Sequence, residues 1–379
     1  RPSGGALNPA AMLSAAGIPS VRGPAAMRWP AHDRTAWALR EGRRTRRLPD
    51  REALITALRR GKGIVLVGTP GKCRFRAPEA VADLPDSCRW PLRSNARKSA
   101  LMFFLTGLLL LGAGLLLSVR NLVAFGGLVC LIGALLALDG HRLRDPVLAA
   151  SRTRTLFWLR VHPYPRRCAL TALLFMLLAA AVQVWMQQQA GGMRPVWDQL
   201  GIVYPEVREG ALWRLFTGPF LHYSPTHFIS NLLGLVLIVP FACGLIGAWC
   251  WAVLLFGCAL GSACQILFGG SLHDTMGGIS PGVNALFGLV AGIATLRPGL
   301  LPGRLGPVLL WMTLLGVAMA EVANPSAATA GHLGGLVTGL IVAAGISAGL
   351  PAGVEVLESA ECPRQGSMQV ENPSGEGAS

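Results

Sequence analysis

The chain has 379 residues, is 52% hydrophobic and only 14% charged, against about 25% charged in ordinary soluble domains. Its apolar residues fall in long blocks, which excludes a simple soluble domain and points to a polytopic membrane protein. The formal net charge of +15 is crowded into segments flanking those blocks, with no basic helix carrying interleaved aromatics, so it reads as a topology signal and not as a nucleic-acid surface.

Residues 1–49, rich in Ala, Gly, Pro and Arg, read as disordered. "DREALITALRR" (50–60) has the acidic start and basic end of a short helix. In "GKGIVLVGTPGKCRFRAP" the string "GTPGK" hints at a phosphate loop. The pattern fails, because Leu66 stands where the first glycine belongs and Cys73 where Ser or Thr should follow the lysine. A β-hairpin turning at Pro70-Gly71 fits better, and 50–98 reads as a small cytosolic domain.

Two apolar runs follow, 100–118 and 121–139, separated only by Val119 and Arg120. Each approaches the roughly 20 residues needed to span a bilayer, so 100–139 is a transmembrane hairpin. The linker 140–167 is basic, like the N-terminal region, so both flanks of the hairpin are expected in the cytoplasm. Six more candidate spans lie near 168–187, 226–243, 246–268, 281–296, 305–320 and 332–349. Alternation places 188–225 and "EVANPSAATAG" outside, and "LRPGLLPGRLG", with Arg297 and Arg304, inside. The tail 351–379 reads as an acidic, disordered cytoplasmic segment. The nine cysteines show no CxxC and no Cys/His cluster with metal spacing; they read as small buried hydrophobes, and no metal or other cofactor is expected.

Polar side chains within spans are rare and expensive, and here they gather toward one leaflet. "WRLFTGPFLHYSPTHFISNLLGL" carries His222, His227 and Asn231; "GGISPGVNALFGL" carries Ser280 and Asn284; "TAGHLGGLVTGL" carries His332. His227 and Asn231, four apart, share a helix face and can offer two N–H donors to one oxyanion, or can glue two helices together. Gly335 and Gly339 share a face with His332, and Gly288 and Gly292 repeat that spacing on the helix beginning at Ser280. If these small-residue faces meet, His332 reaches Ser280 as the base a serine nucleophile needs. The alternatives are a helix-packing imidazole at His332, and at Ser280 an N-cap followed by Pro281 at the first helical position.

Taken in order across 168–350, these three blocks resemble the rhomboid family of intramembrane serine proteases. The resemblance implies an all-α polytopic membrane protein with a six-helix core, here preceded by the two-helix hairpin and the N-terminal region. It implies Ser280 as nucleophile, His332 as general base, and His227, Asn231 and the Ser280 N–H as oxyanion donors. His222 is then structural, and Trp213-Arg214 belongs to the entry loop 188–225, although an interfacial aromatic with a snorkelling cation explains that pair equally well. Implied substrates are transmembrane proteins cut in the bilayer. The implied location is a bacterial inner membrane, with both termini cytoplasmic.

Three departures stand out. Pro281 follows the serine in place of glycine. Asn284 replaces an aromatic residue that stacks on the histidine, and is expected to hold the His332 imidazole by a hydrogen bond instead. The acidic residue usual after the second core helix is missing from "FACGLIGAW". A non-cleaving relative that binds transmembrane clients is the alternative function; retention of Ser280, His332, His227 and Asn231 favours the enzyme. A transporter, with broken helices in symmetric halves, fits less well.

Overall fold

The computed structural model describes residues 36–347, apart from 42–43, 61–64, 72–74, 82, 86–87, 89–90, 119, 143–149, 151–152, 154–156, 158–162, 270–273, 298–300, 302–304 and 324–327. The expected disorder of 1–35 and of the tail 351–379 therefore lies outside the described residues.

The first elements form a small unit. Strands β1 (Trp37–Glu41) and β2 (Arg44–Leu48) pair antiparallel, helix α1 (Arg51–Arg60) follows, and β3 (Val65–Gly68) pairs with β1 on its other side. The sheet order is β2-β1-β3. The ordered unit thus begins within the segment read from composition as disordered. That reading is corrected for 36–49: alternation in "WALRE" buries Ala38, and Leu48 is buried against α1, so apolar positions hidden among arginines suffice for a strand pair. The turn at Pro70-Gly71 is present, with Gly71 at φ 78°, and two hydrogen bonds of 2.7 Å close Val67 onto Arg76. One sheet face packs Leu48 and Val67 on Leu54 and Ile55 of α1; the other packs Ala38, Leu66 and Phe75 on Phe157. Thr153 Oγ1 also donates to buried Glu79, at 3.0 Å.

Helices α2 (Pro91–Leu116) and α3 (Arg120–Arg142) form an antiparallel pair. The tip carries Ser118 in the left-handed region, at φ 54°. Glycines set the spacing: a Cβ on Gly107 would fall 2.5 Å from the Cys130 nitrogen, and one on Gly126 2.5 Å from the Leu111 nitrogen. Glu79 and Phe75 precede this hairpin and Thr153 and Phe157 follow it, yet they meet in one unit. Both ends of the helix pair therefore return to this unit.

The chain continues through α4 (Pro163–Gln189), α5 (Met193–Leu200), strand β4 (Ile202–Val203), α6 (Tyr204–Arg208) and α7 (Arg214–Thr217). Then come α8 (Pro225–Ile246), α9 (Trp249–Phe268), strand β5 (Thr275–Met276), α10 (Ser280–Leu296), α11 (Leu305–Ala323) and α12 (Thr329–Ser347). Among the described residues five segments are long and apolar enough to cross a membrane: Arg97–Leu116, Pro165–Gln189, Pro225–Ile246, Trp249–Phe268 and Thr329–Ser347. Gly126–Leu135, Ser280–Leu296 and Leu305–Glu321 are shorter apolar helical stretches. The protein is a polytopic, helical membrane protein, with its small sheets outside the spans.

Burial follows position in the bundle. Leu170, Leu174 and Leu178 of α4 are exposed, as lipid-facing residues must be, whereas α10 is buried along most of its length. α10 packs against α8, α9, α11 and α12. It needs no lipid-facing stripe, and at 17 residues it is about 26 Å long, shorter than the roughly 30 Å hydrocarbon layer.

Candidate active site

Three helix N-termini, those of α8, α10 and α12, carry the polar residues singled out from the sequence. The Ser280–His332 contact and the close passage of Gly278 over His227 bring all three to one end of the bundle.

α10 starts at Ser280 itself, with Ile279 in the cap position and no side-chain cap; Pro281 is the second helical residue. The N-cap explanation for Ser280 is thereby replaced. Its hydroxyl lies 2.8 Å from Nε2 of His332. Proline costs nothing here, because the first N–H groups of a helix have no intrahelical partner. Gly288, Gly292, Gly335 and Gly339 do form one contact. A Cβ on Gly335 would collide with the Pro281 carbonyl oxygen, one on Gly339 with that of Ala285, and one on Gly288 with that of Leu336; one on Gly292 would meet Ala343 Cβ at 2.5 Å. This backbone-to-backbone approach brings the start of α12 to the start of α10. Behind His332, Nδ1 is buried without a hydrogen-bond partner among the described residues, so the imidazole has no supporting carboxylate.

α8 is capped by Ser224, whose Oγ accepts from the His227 N–H at 3.2 Å, with Pro225 next. One turn on, Asn231 is buried and its amide nitrogen has no partner among the described residues. Gly278, at φ 98°, lets the backbone pass directly over this pair: a Cβ there would stand 2.7 Å from His227 Nε2 and 3.1 Å from Asn231 Nδ2. Two donors thus converge beside the loop that enters Ser280. Any other residue at 278 would need both an unfavourable φ and the space those donors occupy.

Asn284 departs from expectation. Its amide donates to the Ser280 carbonyl oxygen at 2.9 Å, one turn back in its own helix, and makes no hydrogen bond to His332. A short amide finds the carbonyl four residues back more readily than an imidazole across a helix interface.

His222 is buried. Its Nδ1 donates to the Phe220 carbonyl at 3.1 Å, and its ring stands edge-on to those of His227 and Phe228. Burial, helped by the neighbouring His227, pushes its pKa down to about 4, so the ring is neutral near pH 7. Gln183 of α4 clamps its backbone from both sides, donating to His222 O at 2.8 Å and accepting from His222 N at 2.9 Å.

Arg214 is buried, not snorkelling. Its guanidinium donates to Gly201 O (2.9 Å) and Asp198 O (2.8 Å), pairs with Glu206, and lies 4.7 Å from the centroid of the Trp213 ring. It ties together the loop between α4 and α8. Trp213 itself is half exposed. That loop joins the Ser280 loop through the β4–β5 pairing, Ile202 with Met276 and Val203 with Thr275. Trp197 packs on Gly277 and stacks on Tyr223 at 3.9 Å. Gln265 of α9 accepts from the Gly331 N–H at 2.9 Å, one residue before His332.

Gln183, Trp197, Tyr223 and Gln265 were not singled out from the sequence. The signal for the two glutamines was present, an amide inside an apolar run, but nothing in the sequence says which backbone group such an amide meets.

No curated protein matches the chain. Residues 209–349 match the family described as Rhomboid domain, a stretch containing Ser280, His332, His227 and Asn231 together. Residues 209–349 are therefore assigned to the rhomboid domain family.

Proposed function

We propose that the protein is an intramembrane serine endopeptidase whose nucleophile is Ser280 and whose general base is His332. The observation that carries this reading is the 2.8 Å contact between Ser280 Oγ and His332 Nε2. Ser280 donates its proton to Nε2 while Oγ attacks a peptide carbonyl. His332 returns the proton to the leaving amine, and water then cleaves the acyl-enzyme. The Asn231 amide, without a partner among the described residues, and the His227 ring, with the Ser280 N–H at the start of α10, are donors for the oxyanion. With no partner at Nδ1 among the described residues, the glycine-packed helix contact and the Ser280 hydroxyl orient the ring.

In this reading α4 and α8 to α12 are the six-helix protease core, roughly 168–350. α2 and α3 are an added hairpin, 100–139, joined to the core by the linker 140–167. Basic flanks orient the N-terminal unit toward the cytoplasm and the site toward the outer side. Substrates are transmembrane proteins cut in or near the bilayer.

A fluorophosphonate probe tests this on the purified protein. Labelling is expected in the wild type, none in Ser280→Ala, and a fall of about 10²- to 10⁴-fold in rate in His332→Ala. A folded wild type that stays unlabelled, but retains a single-span client on affinity capture, would instead establish a non-cleaving binder.

A further inference from the structure

We infer that the N-terminal unit docks on anionic phospholipid headgroups through β2 and the C-terminal end of α1. β2 is an edge strand, with Arg44 and Arg46 both exposed. α1 begins three residues after β2 ends and packs back on the sheet, and both elements are about 15 Å long, so exposed Arg59 and Arg60 return to the level of Arg44. None of these four arginines makes an ion pair among the described residues. The nearby acids are largely engaged: Asp50 accepts from the Ala53 N–H at 2.7 Å and Glu52 pairs with Arg51, leaving Glu41 opposite Arg44. Charged residues on an edge strand also discourage strand addition, but that explains neither Arg59 nor Arg60, which stand on the helix.

The occupant follows from the tether. Buried Cys88 lies three residues before α2, and Phe157, in the core on the other sheet face, lies six residues before α4. At about 3.5 Å per residue these links reach about 10 and 20 Å. The unit is therefore held at two points against the leaflet from which both helices start. Arg166 and Arg167 are exposed at that same level on α4. A basic surface kept this close to a bilayer meets lipid phosphates at high local concentration, and each arginine near an anionic surface adds attraction worth about a fivefold change in binding. The inference needs only the membrane fold, and stands or falls separately from the protease reading.

Hydrogen exchange on the full chain, in nanodiscs of phosphatidylcholine alone or mixed with phosphatidylglycerol, tests it. Peptides covering 44–60 are expected to exchange more slowly in the anionic discs. High salt should erase the difference, and Arg44→Gln/Arg46→Gln/Arg59→Gln/Arg60→Gln should abolish it while exchange at buried β3 stays unchanged. If that variant unfolds, Arg44→Gln alone should weaken the effect about fivefold. Equal exchange in both discs, or a difference that survives salt and substitution, would overturn the proposal. So would protection by added RNA in neutral discs without protection by anionic lipid, which would make nucleic acid the ligand.

Discussion

At the scale of single residues, the site rests on side chains whose partners are unusual for a membrane interior. Asn231 is buried with an amide donor that has no partner among the described residues. If it binds the oxyanion, Asn231→Ala lowers kcat by about 10²- to 10³-fold with KM little changed; a loss in KM alone would assign it to substrate binding. Asn284 bonds its own helix, so Asn284→Ala should leave the pH–rate profile unmoved and activity within a few-fold, and a shifted acid limb would return it to the imidazole. His222 carries a pH dependence of stability. Its folded pKa of about 4 lies below an unfolded value near 6.5. Between those values the unfolded chain binds more protons, so stability is complete above about pH 6.5 and falls as pH drops toward 4. Thermal unfolding in detergent across that range should show the loss, and His222→Gln should flatten it.

At the scale of elements, catalysis in the proposed reading depends on how closely α10 and α12 approach. Gly335 and Gly339 face carbonyl oxygens with no room for a methyl group, whereas Gly112 and Gly316 have nothing within 4 Å of an added Cβ. Gly335→Ala and Gly339→Ala should push the helices apart and lower the labelling rate at least about 100-fold, the usual effect of a displacement near 1 Å. Gly112→Ala and Gly316→Ala should label normally and be equally or more stable, by up to about 1 kcal/mol, since alanine is the better helix former. The same logic fixes the α2/α3 register at Gly107 and Gly126, away from the chemistry.

At the scale of the whole molecule, the small N-terminal unit, the α2/α3 pair and the stretch matching the rhomboid domain follow one another, and Phe157 lies in the core of the first although it follows the second in the chain. It is fully buried in the N-terminal unit although it lies only six residues before α4. Phe157→Ala should destabilise that unit by about 3–5 kcal/mol, seen as protease cleavage within 36–88, while Ser280 labelling persists because no part of the site rests on that core.

Hydropathy alone determined that this is a polytopic membrane protein and where its long apolar helices run, because an unpaired backbone polar group is intolerable in lipid and a continuous apolar run of about 20 residues satisfies its own backbone as a helix. It also marked Ser280, His332, His227 and Asn231, since polar groups in apolar runs are expensive enough to need a reason. Glycine spacing at 288/292 and 335/339 even anticipated the meeting faces. Tertiary structure decided the partners. It joined the Ser280 hydroxyl to His332 and not to its own helix start, turned Asn284 back on Ser280, and took Arg214 from a surface cation to a buried tie. It also made strands of Trp37–Glu41 and Arg44–Leu48, which composition had hidden among arginines. A hydrogen bond is settled by which donor and acceptor arrive within about 3 Å, and that distance is a property of the packed helices, not of the order of residues along any one of them.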